Sequence, residues 1–384
     1  MQRLDLVALV TLIVTLAACG GGGDTSRLSA IPVVNPGAPA AGATASPSAS
    51  PATIAVATYA SPNAITSIAI GPDGNAWFTQ TQQMIGVANA TTGAIASYNG
   101  VAPSQQNCSV PSAPPSQQAS GQLTLGPILA GPNGTLWYGA WCGGALLYGY
   151  SGFNQMSTTG TIAGTARAGY NPPVIAGATV GSDGSIWAAE LGVEGPEIWS
   201  YAPPTGAGTP CDGTQMPRAQ PSGIASGSDG ALWMPAYENG DAVLIRSTTS
   251  CALSTPVSVS GTTFDSRSIA SAGGALWVID IGRNQIDKIT TAGTLTPYAV
   301  PKAWVADSNG NVGYVAASPN GNYVYFDDTA SAQIGRLNLG TGQIQEFALQ
   351  AGGAAVDPEM LAVDANGNAW TYSGATLLRV TFPS

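Results

Sequence analysis

The sequence contains no histidine and few charged side chains. Of its 384 residues, 11 are Lys or Arg and 21 are Asp or Glu, which gives a net charge of −10. Without histidine, a Ser-His-Asp catalytic triad is excluded. The small number of basic residues provides no positive field that would attract the phosphates of nucleic acid or anionic lipid headgroups. We therefore expect no nucleic-acid partner.

Long hydrophobic runs are also lacking, except for one apolar segment near the N-terminus. This segment, from Leu6 to Ala18, is shorter than the about 20 residues that a transmembrane helix needs. It follows Arg3 and ends in Leu-Ala-Ala-Cys, with small residues placed before Cys19. This arrangement resembles a bacterial lipobox. It predicts a signal peptide over residues 1–18, cleaved before Cys19.

Lipidation of Cys19 would anchor the protein to the bacterial cell envelope through its lipid alone. Gly20 follows the cysteine where an Asp would retain such a protein at the inner membrane, so we expect the outer membrane. Ordinary secretion and an uncleaved anchor are the alternatives. Residues 19–53 are rich in Gly, Ser, Ala and Pro with almost no aromatic side chains, and they predict a lipidated tether that builds no core.

Glycine and proline are abundant, with 50 and 28 residues, and they mark a turn motif that occurs seven times. The seven copies are GPDGNAW ending at Trp77, GPNGTLW at Trp137, GSDGSIW at Trp187, GSDGALW at Trp233, SAGGALW at Trp277, SPNGNYV at Val324 and DANGNAW at Trp370. Successive copies end 60, 50, 46, 44, 47 and 46 residues apart. This is the period of one four-stranded blade per repeat. The sequence predicts an all-β fold over residues 54–384, a seven-bladed β-propeller.

The chemistry of the turn motif explains its composition. In GPDG, Pro suits the second position of a type I turn, Asp the third, and the following Gly accepts a positive φ. The motif therefore joins the first two strands of each blade and places its Trp on the second strand. Six of the nine tryptophans share this position. We expect them to pack between blades as core residues rather than to bind a ligand.

The last repeat is too short to supply its own fourth strand. After Trp370 only TYSGATLLRVTFPS remains, which suffices to complete the second strand and to form the third. A strand-like run, Ile54 to Ala60, precedes the first repeat. Because an open blade edge would expose unpaired backbone groups, we expect this N-terminal strand to pair with the last blade and close the ring.

Four cysteines remain beside Cys19, and no C-x-x-C pair suggests zinc. An even number of cysteines in an exported protein indicates disulfides. Cys108 and Cys142 are assigned to one face of the propeller, in a link between blades and after a second strand. Cys211 and Cys251 are assigned to the other face, each before a fourth strand. We therefore predict the pairs Cys108–Cys142 and Cys211–Cys251.

The repeated pattern, seen in ITSIAIGPDGNAWFTQ and QIGRLNLGTGQIQEFAL, resembles the virginiamycin B lyase (streptogramin lyase) family. The resemblance covers nearly everything from residue 54 to 384. It implies a seven-bladed propeller and, for active members, a metal-assisted elimination that opens a cyclic depsipeptide antibiotic. Active members use histidine together with acidic residues on the central face. This chain has no histidine, so the resemblance extends to the fold and not to the activity.

Acidic residues three positions after the Trp column are the candidate site. That position holds Gln80, Ala140, Glu190, Ala236, Asp280, Asp327 and Ser373. Glu190, Asp280 and Asp327, with the adjacent Asp328, are predicted to surround the mouth of the central channel, where they would hold Mg²⁺, Ca²⁺ or a cationic ligand. The alternative is a solvated rim without a ligand.

The sequence favours a non-catalytic binding or interaction domain displayed on the cell envelope. Its partner would be a small molecule, a glycan or an envelope protein, and we expect a monomer. The alternative is a metal-dependent lyase or hydrolase that uses carboxylates in place of histidine.

Overall fold

The computed structural model describes most of the chain from Thr53 onwards. The described residues are 53–103, 108, 114, 116, 122–142, 148–163, 167–170, 173–192, 195–203, 207–211, 223–238, 241–254, 257–259, 264–305 and 312–383. The predicted signal peptide, Cys19 and nearly all of the predicted tether lie outside them. No helix in these ranges is long and apolar enough to cross a membrane.

Seven antiparallel sheets succeed one another along the chain and form the seven blades. Blade 1 contains β2 (Ile65–Ile70), β3 (Ala76–Gln80), β4 (Met84–Ala88) and β5 (Ile95–Asn99). Blade 2 contains β6 (Thr124–Ala130), β7 (Thr135–Trp141) and β8 (Tyr148–Ser157), with β9 (Ile162–Ala163) and β10 (Arg167–Tyr170) at its edge. Blade 3 contains β11 (Val174–Val180), β12 (Ile186–Gly192), β13 (Gly195–Ala202) and β14 (Ala207–Pro210). Blade 4 contains β15 (Ala225–Ser226), β16 (Leu232–Glu238), β17 (Asp241–Ser247) and β18 (Val257–Ser258).

The second half of the ring repeats this order and ends on the N-terminal strand. Blade 5 contains β19 (Phe264–Ala272), β20 (Ala275–Asp280), β21 (Gln285–Thr290) and β22 (Leu295–Ala299). Blade 6 contains β23 (Val315–Ala317), β24 (Tyr323–Asp328), β25 (Gln333–Asn338) and β26 (Ile344–Ala348). A short hairpin, β27 (Gln350–Ala351) and β28 (Ala354–Ala355), precedes blade 7, which contains β29 (Glu359–Val363), β30 (Ala369–Ser373), β31 (Thr376–Thr381) and β1 (Ala55–Ala60). The predicted seven-bladed β-propeller is confirmed.

Closure by the N-terminal strand is also confirmed. Strand β1 pairs with β31 antiparallel along its whole length, from Ala55 opposite Thr381 to Ala60 opposite Thr376. The ring of Tyr59 stacks on Trp370 with 6.0 Å between centroids. The same ring lies against Gly93 of blade 1, where a Cβ atom would come within 1.8 Å of it. The N-terminal strand therefore completes blade 7 and also contacts the first blade.

In five of the seven copies the turn motif has the predicted positive φ at its last glycine alone, and in blades 2 and 5 the preceding residue, Asn133 or Gly273, also has a positive φ. Gly74 has φ of 77°, in the left-handed region that glycine accepts at no steric cost. Gly71 lies under the ring of Trp77, and a Cβ atom there would be 2.4 Å from the ring carbon Cδ1. Because the tryptophan ring occupies that space, a side chain at position 71 would displace the core residue.

The tryptophans of the motif are core residues, as the sequence predicts. The six of the column are at most 2% exposed, and each belongs to a different hydrophobic cluster together with aliphatic side chains. In blade 6 the buried Val324 takes the tryptophan's place. Burying one such side chain removes on the order of 200 Å² from water, so this column holds adjacent blades together.

Both disulfides pair as predicted, Cys108 with Cys142 and Cys211 with Cys251. The predicted location of Cys211 is wrong. Cys211 directly follows β14, the fourth strand of blade 3, instead of preceding it. Its backbone N–H continues the pairing of that edge by donating to the carbonyl of Ile198 at 2.9 Å. The second disulfide therefore joins the outer edge of blade 3 to the link between β17 and β18 of blade 4.

Candidate functional site

A cavity of about 550 Å³ is formed by the innermost strands of the propeller and their flanking residues. All seven blades contribute lining residues. The polar ones carry hydroxyl groups: Thr66, Ser67, Thr124, Ser268 and Tyr314. The others are glycine, alanine, proline and larger apolar residues, with Trp141 the largest. The described lining is therefore neutral, and its volume suits a small organic molecule.

Irregular pairing of the inner strands produces this lining. In five blades the register between the first and second strands shifts, at Ile65/Ser67, Leu125/Ile128, Ile175/Gly177, Phe264/Ile269 and Glu359/Ala362. Each shift coincides with residues that line the cavity, such as Thr66 and Gly126. A bulge bends the strand and removes the extra residue from the regular ladder. These inner strands therefore turn backbone as well as side chains towards the cavity.

Several cavity hydroxyl groups connect adjacent blades. Ser67 Oγ accepts a hydrogen bond from the backbone N–H of Ile128 at 3.2 Å, and Ser268 Oγ accepts one from Val315 of the next blade. Thr66 Oγ1 donates to the carbonyl of Leu125 at 3.2 Å. Two of these side chains bond backbone groups beside the bulge of blade 2, Leu125 and Ile128, and the third bonds the inner strand of blade 6. Much of the cavity's hydroxyl chemistry therefore serves the structure.

Trp141 is the large aromatic residue of the cavity. It is the last residue of β7, and its ring lies over Gly126, where a Cβ atom would be 2.1 Å from ring carbon Cζ3. The next residue, Cys142, is fixed by its disulfide to Cys108 and by a 2.8 Å hydrogen bond from its N–H to the carbonyl of Tyr150. The position of this ring is therefore tightly determined.

The four predicted acidic residues lie elsewhere. Glu190, Asp280 and Asp327 are fully buried and Asp328 is 1% exposed, and none of them lines the cavity. Within the described ranges, no three acidic, cysteine or histidine side chains are grouped so that they could hold a metal ion. Because the four side chains are buried, they do not form a solvated rim, and the expectation that they surround a ligand or metal site at the channel mouth stays a prediction. Whether any one of them binds a ligand remains a prediction.

Three of these carboxylates accept hydrogen bonds from nearby protein groups. Glu190 accepts one from the hydroxyl of Tyr201. Asp327 Oδ1 accepts one from the backbone N–H of Tyr314 at 2.7 Å, just before the short inner strand of blade 6. Asp328 accepts one from the N–H of Val305 at 3.3 Å, and burial raises its pKa. Each of these three carboxylates therefore has a hydrogen-bond donor within the protein.

Asp280 belongs to a pair of carboxyl groups inside blade 5. Its Oδ1 accepts a hydrogen bond from the N–H of Arg283 at 3.1 Å, and its partner is Asp287 on β21. Gln285 donates to Asp287 Oδ1 at 2.8 Å. Burial, reinforced by the charge of Asp280, raises the pKa of Asp287 to about 7. The pair is a proton-binding element that the sequence analysis missed, because Asp287 lies on a different strand from the Trp column.

Comparison with known proteins relates part of the chain to a known family. The virginiamycin B lyase family model matches residues 202–379. The predicted resemblance to that family is confirmed. No curated protein matches the chain at a significant level.

Solved structures show the same fold at low sequence identity. A streptogramin B lyase is 22% identical with a TM-score of 0.62, over 86% of this chain and 98% of its own. A virginiamycin B lyase from Staphylococcus aureus is 21% identical with a TM-score of 0.62, over 86% of this chain and 100% of its own. A catalytically inactive histidine-to-alanine variant of the S. aureus enzyme, solved with quinupristin, is 21% identical with a TM-score of 0.60 and the same coverage. At these identities the likeness establishes the fold alone.

Proposed function

We propose that this chain is a non-catalytic binding domain whose central cavity takes an uncharged small molecule, and that a lipid on Cys19 holds it on the bacterial cell envelope. The observation that supports binding is the cavity itself, about 550 Å³ in volume and lined in its described part by hydroxyl, glycine and apolar residues. A charged ligand would lose its hydration there without gaining a countercharge, which is costly.

The chemistry of the chain favours binding over a lyase reaction. Members of the family that this chain resembles are expected to use histidine, and this sequence has none. The acidic residues that could replace histidine are buried outside the cavity and contact groups of their own blades. The inactive histidine variant solved with quinupristin supports the same view, because that protein was obtained with a ligand in the absence of activity.

Binding and turnover can be tested together. We expect uncharged molecules from a panel that includes quinupristin to raise the melting temperature of the protein in a saturable way, since they bind only the folded state. Ala178→Phe, which places a ring in the cavity wall, should abolish the increase. Ala354→Phe, on the exposed β28, is the matched control and should retain it. Mass spectrometry, with and without Mg²⁺, should show unchanged ligand.

Two outcomes would contradict this function. Formation of a ring-opened product would favour the lyase alternative. Stabilisation that persists in Ala178→Phe would place the ligand outside the cavity, on a surface that a glycan or an envelope protein could also use.

The proposed lipid anchor on the cell envelope can be tested separately. Cys19→Ser should move the protein from the membrane to the soluble fraction and abolish incorporation of a labelled fatty acid, because Cys19 is the predicted lipidation site. The matched control is Ser26→Ala in the same segment, which should leave both properties unchanged. Continued lipid labelling of the Cys19→Ser protein would contradict the lipoprotein assignment.

A further inference from the structure

The tryptophans of this protein differ in what their indole N–H groups bond. Seven of the nine donate to a protein acceptor: Trp77, Trp137, Trp187, Trp199, Trp233, Trp277 and Trp370. Trp141 and Trp304 make no such bond to any residue that the structure describes. The N–H of Trp304 is buried, whereas the side chain of Trp141 is partly exposed and lines the central cavity. Trp141 is therefore a cavity tryptophan whose donor is available to a ligand.

We propose that Trp141 is the ligand-contacting residue of the central cavity, and that the ligand is an uncharged molecule with a flat aromatic ring and a hydrogen-bond acceptor. This inference rests on the proposed function. The indole ring supplies a large flat surface for stacking, and its Nε1–H supplies a donor in the plane of the ring. The neutral wall around it excludes a charged partner.

Several features favour an aromatic ligand over a sugar. A sugar presents many hydroxyl groups, and each one that is buried needs a partner. The cavity hydroxyl of Thr66 donates to a carbonyl of the next blade, and those of Ser67 and Ser268 each accept one backbone hydrogen bond, so these groups have fewer hydrogen bonds left to offer a sugar. The remaining wall is rich in glycine and apolar side chains such as Ile128 and Ile224. Such a wall matches a ligand whose surface is mainly apolar.

The position of Trp141 is set before any ligand arrives. Gly126 leaves space for the ring, and the Cys108–Cys142 disulfide fixes the adjacent residue. A side chain that is already ordered loses little conformational entropy on binding, so the ligand gains more of the contact energy. The disulfide is therefore a positioning element for Trp141, and the second disulfide, Cys211–Cys251, provides its matched control.

The first test uses the mature, lipidated chain in detergent, labelled with ¹⁵N at its indole nitrogens. The Trp141 peak is assigned by its loss in Trp141→Phe. We expect its N–H to exchange with solvent faster than the seven bonded ones, and its peak to move when N-acetyl-L-tryptophanamide is added. The Trp199 peak should stay in place. If the Trp141 peak is protected and indifferent to the probe, the inference is overturned.

The second test compares affinities for matched probes. N-acetyl-L-tryptophanamide is uncharged and aromatic, N-acetyl-L-leucinamide lacks the ring, N-acetyl-L-tryptophan adds a carboxylate, and cellobiose represents a sugar. We expect the first to bind most tightly. Trp141→Leu should weaken its binding by about fivefold, the scale of one aromatic contact, and should remove the preference over the leucine probe. Trp199→Leu, which changes a tryptophan outside the cavity, should preserve both.

The outcomes separate this inference from the proposed function. If Ala178→Phe abolishes binding while Trp141→Leu keeps the aromatic preference, the cavity binds but Trp141 does not select the ligand. Stronger binding of cellobiose, or of the carboxylate probe, would overturn the ligand class. If no probe binds, the inference fails, while a response to other uncharged molecules in the panel would leave the broader function standing. Replacing Cys108 and Cys142 by serine should weaken binding of the aromatic probe, and the same change at Cys211 and Cys251 should not.

Discussion

The indole Nε1 of Trp77 donates a hydrogen bond to the carboxylate of Asp73, and the two atoms are 2.9 Å apart. The bond connects the turn motif to the tryptophan that the motif precedes. Blades 3 and 4 contain the same bond at 3.0 Å, Asp183 with Trp187 and Asp229 with Trp233. In blade 7 the indole of Trp370 donates at 3.0 Å to Asp364, which occupies the first position of the motif instead of the third. The motif's acidic residue therefore stabilises the turn and also accepts a hydrogen bond from the largely buried indole N–H. This second role explains why Asp and Trp recur together.

Removing the motif's carboxylate should lower the stability of the protein by more than the loss of a turn hydrogen bond alone. Asp183 Oδ1 accepts bonds from the N–H of Ser185 and the indole of Trp187, so Asp183→Ala leaves a buried indole donor without its partner. We expect the free energy of unfolding to fall by about 1–2 kcal/mol in urea titrations. Asn320→Ala is the control. The side chain of Asn320 likewise accepts a hydrogen bond from the backbone N–H of Asn322, but the column residue of that blade is Val324, which has no indole donor. An equal loss at both positions would remove the indole bond as the cause.

Closure of the ring by β1 predicts a large difference in melting temperature between two N-terminal truncations. A chain that lacks residues 20–53 keeps β1 and should melt close to the full chain. Extending the deletion through Ala60 removes the six paired residues of β1 and the Tyr59–Trp370 contact, so blade 7 loses a strand and the melting temperature should drop markedly. Differential scanning calorimetry measures both, and equal melting of the two truncations would refute closure as a source of stability.

The global architecture could be predicted because it depends on repetition. Seven turn motifs at the period of one blade predict the fold without knowledge of any single contact, and the missing last strand predicts the role of Ile54 to Ala60. The disulfide pairs also followed from topology, although Cys211 lies after its strand. In each case the prediction used only the order of elements along the chain, which the sequence states directly.

The site could not be predicted in the same way because it depends on departures from the repeat. The bulges that shape the cavity lie at residues such as Thr66 and Gly126, which no motif marks. Trp141 stands outside the Trp column, four residues after Trp137. The position of Asp280, three residues after Trp277, predicted an exposed side chain at the channel mouth. The side chain is buried instead, because residues on neighbouring strands, such as Asp287, pack around it. Side-chain partners across strands are not readable from spacing alone.

The buried carboxylates predict how the protein responds to divalent cations. Glu190, Asp327 and Asp328 each accept a hydrogen bond from a protein donor, and Asp280 accepts one from Arg283. A cation would have to displace these donors. We therefore expect millimolar Mg²⁺ or Ca²⁺ to leave the melting temperature unchanged. A rise that is lost in Glu190→Gln or Asp327→Asn, with a matching heat of binding in calorimetry, would instead establish the cation site that the sequence suggested.

The carboxyl pair of blade 5 should make stability depend on pH. The pKa of Asp287 is raised to about 7 in the folded protein, whereas an aspartate in the unfolded chain has a pKa of about 3.9. Below about pH 4 both states are protonated, and the difference contributes nothing. Between about pH 4 and pH 7 only the unfolded state ionises, so the free energy of unfolding falls as the pH rises. Above about pH 7 the whole penalty is present.

Asp287→Asn removes the ionisable group and keeps a side chain of similar shape. It should therefore stabilise the protein only at the pH values at which ionisation of Asp287 destabilises the folded state. Urea unfolding should show the variant more stable than the wild type at about pH 8 and close to it at about pH 4, because the penalty exists only above the unfolded pKa. Loss of the bond that Gln285 donates would lower stability at every pH, so the decisive quantity is the change with pH. The same substitution at the exposed Asp357 controls for net charge. A stability difference that is constant from acid to alkaline pH would contradict proton binding by the Asp280–Asp287 pair.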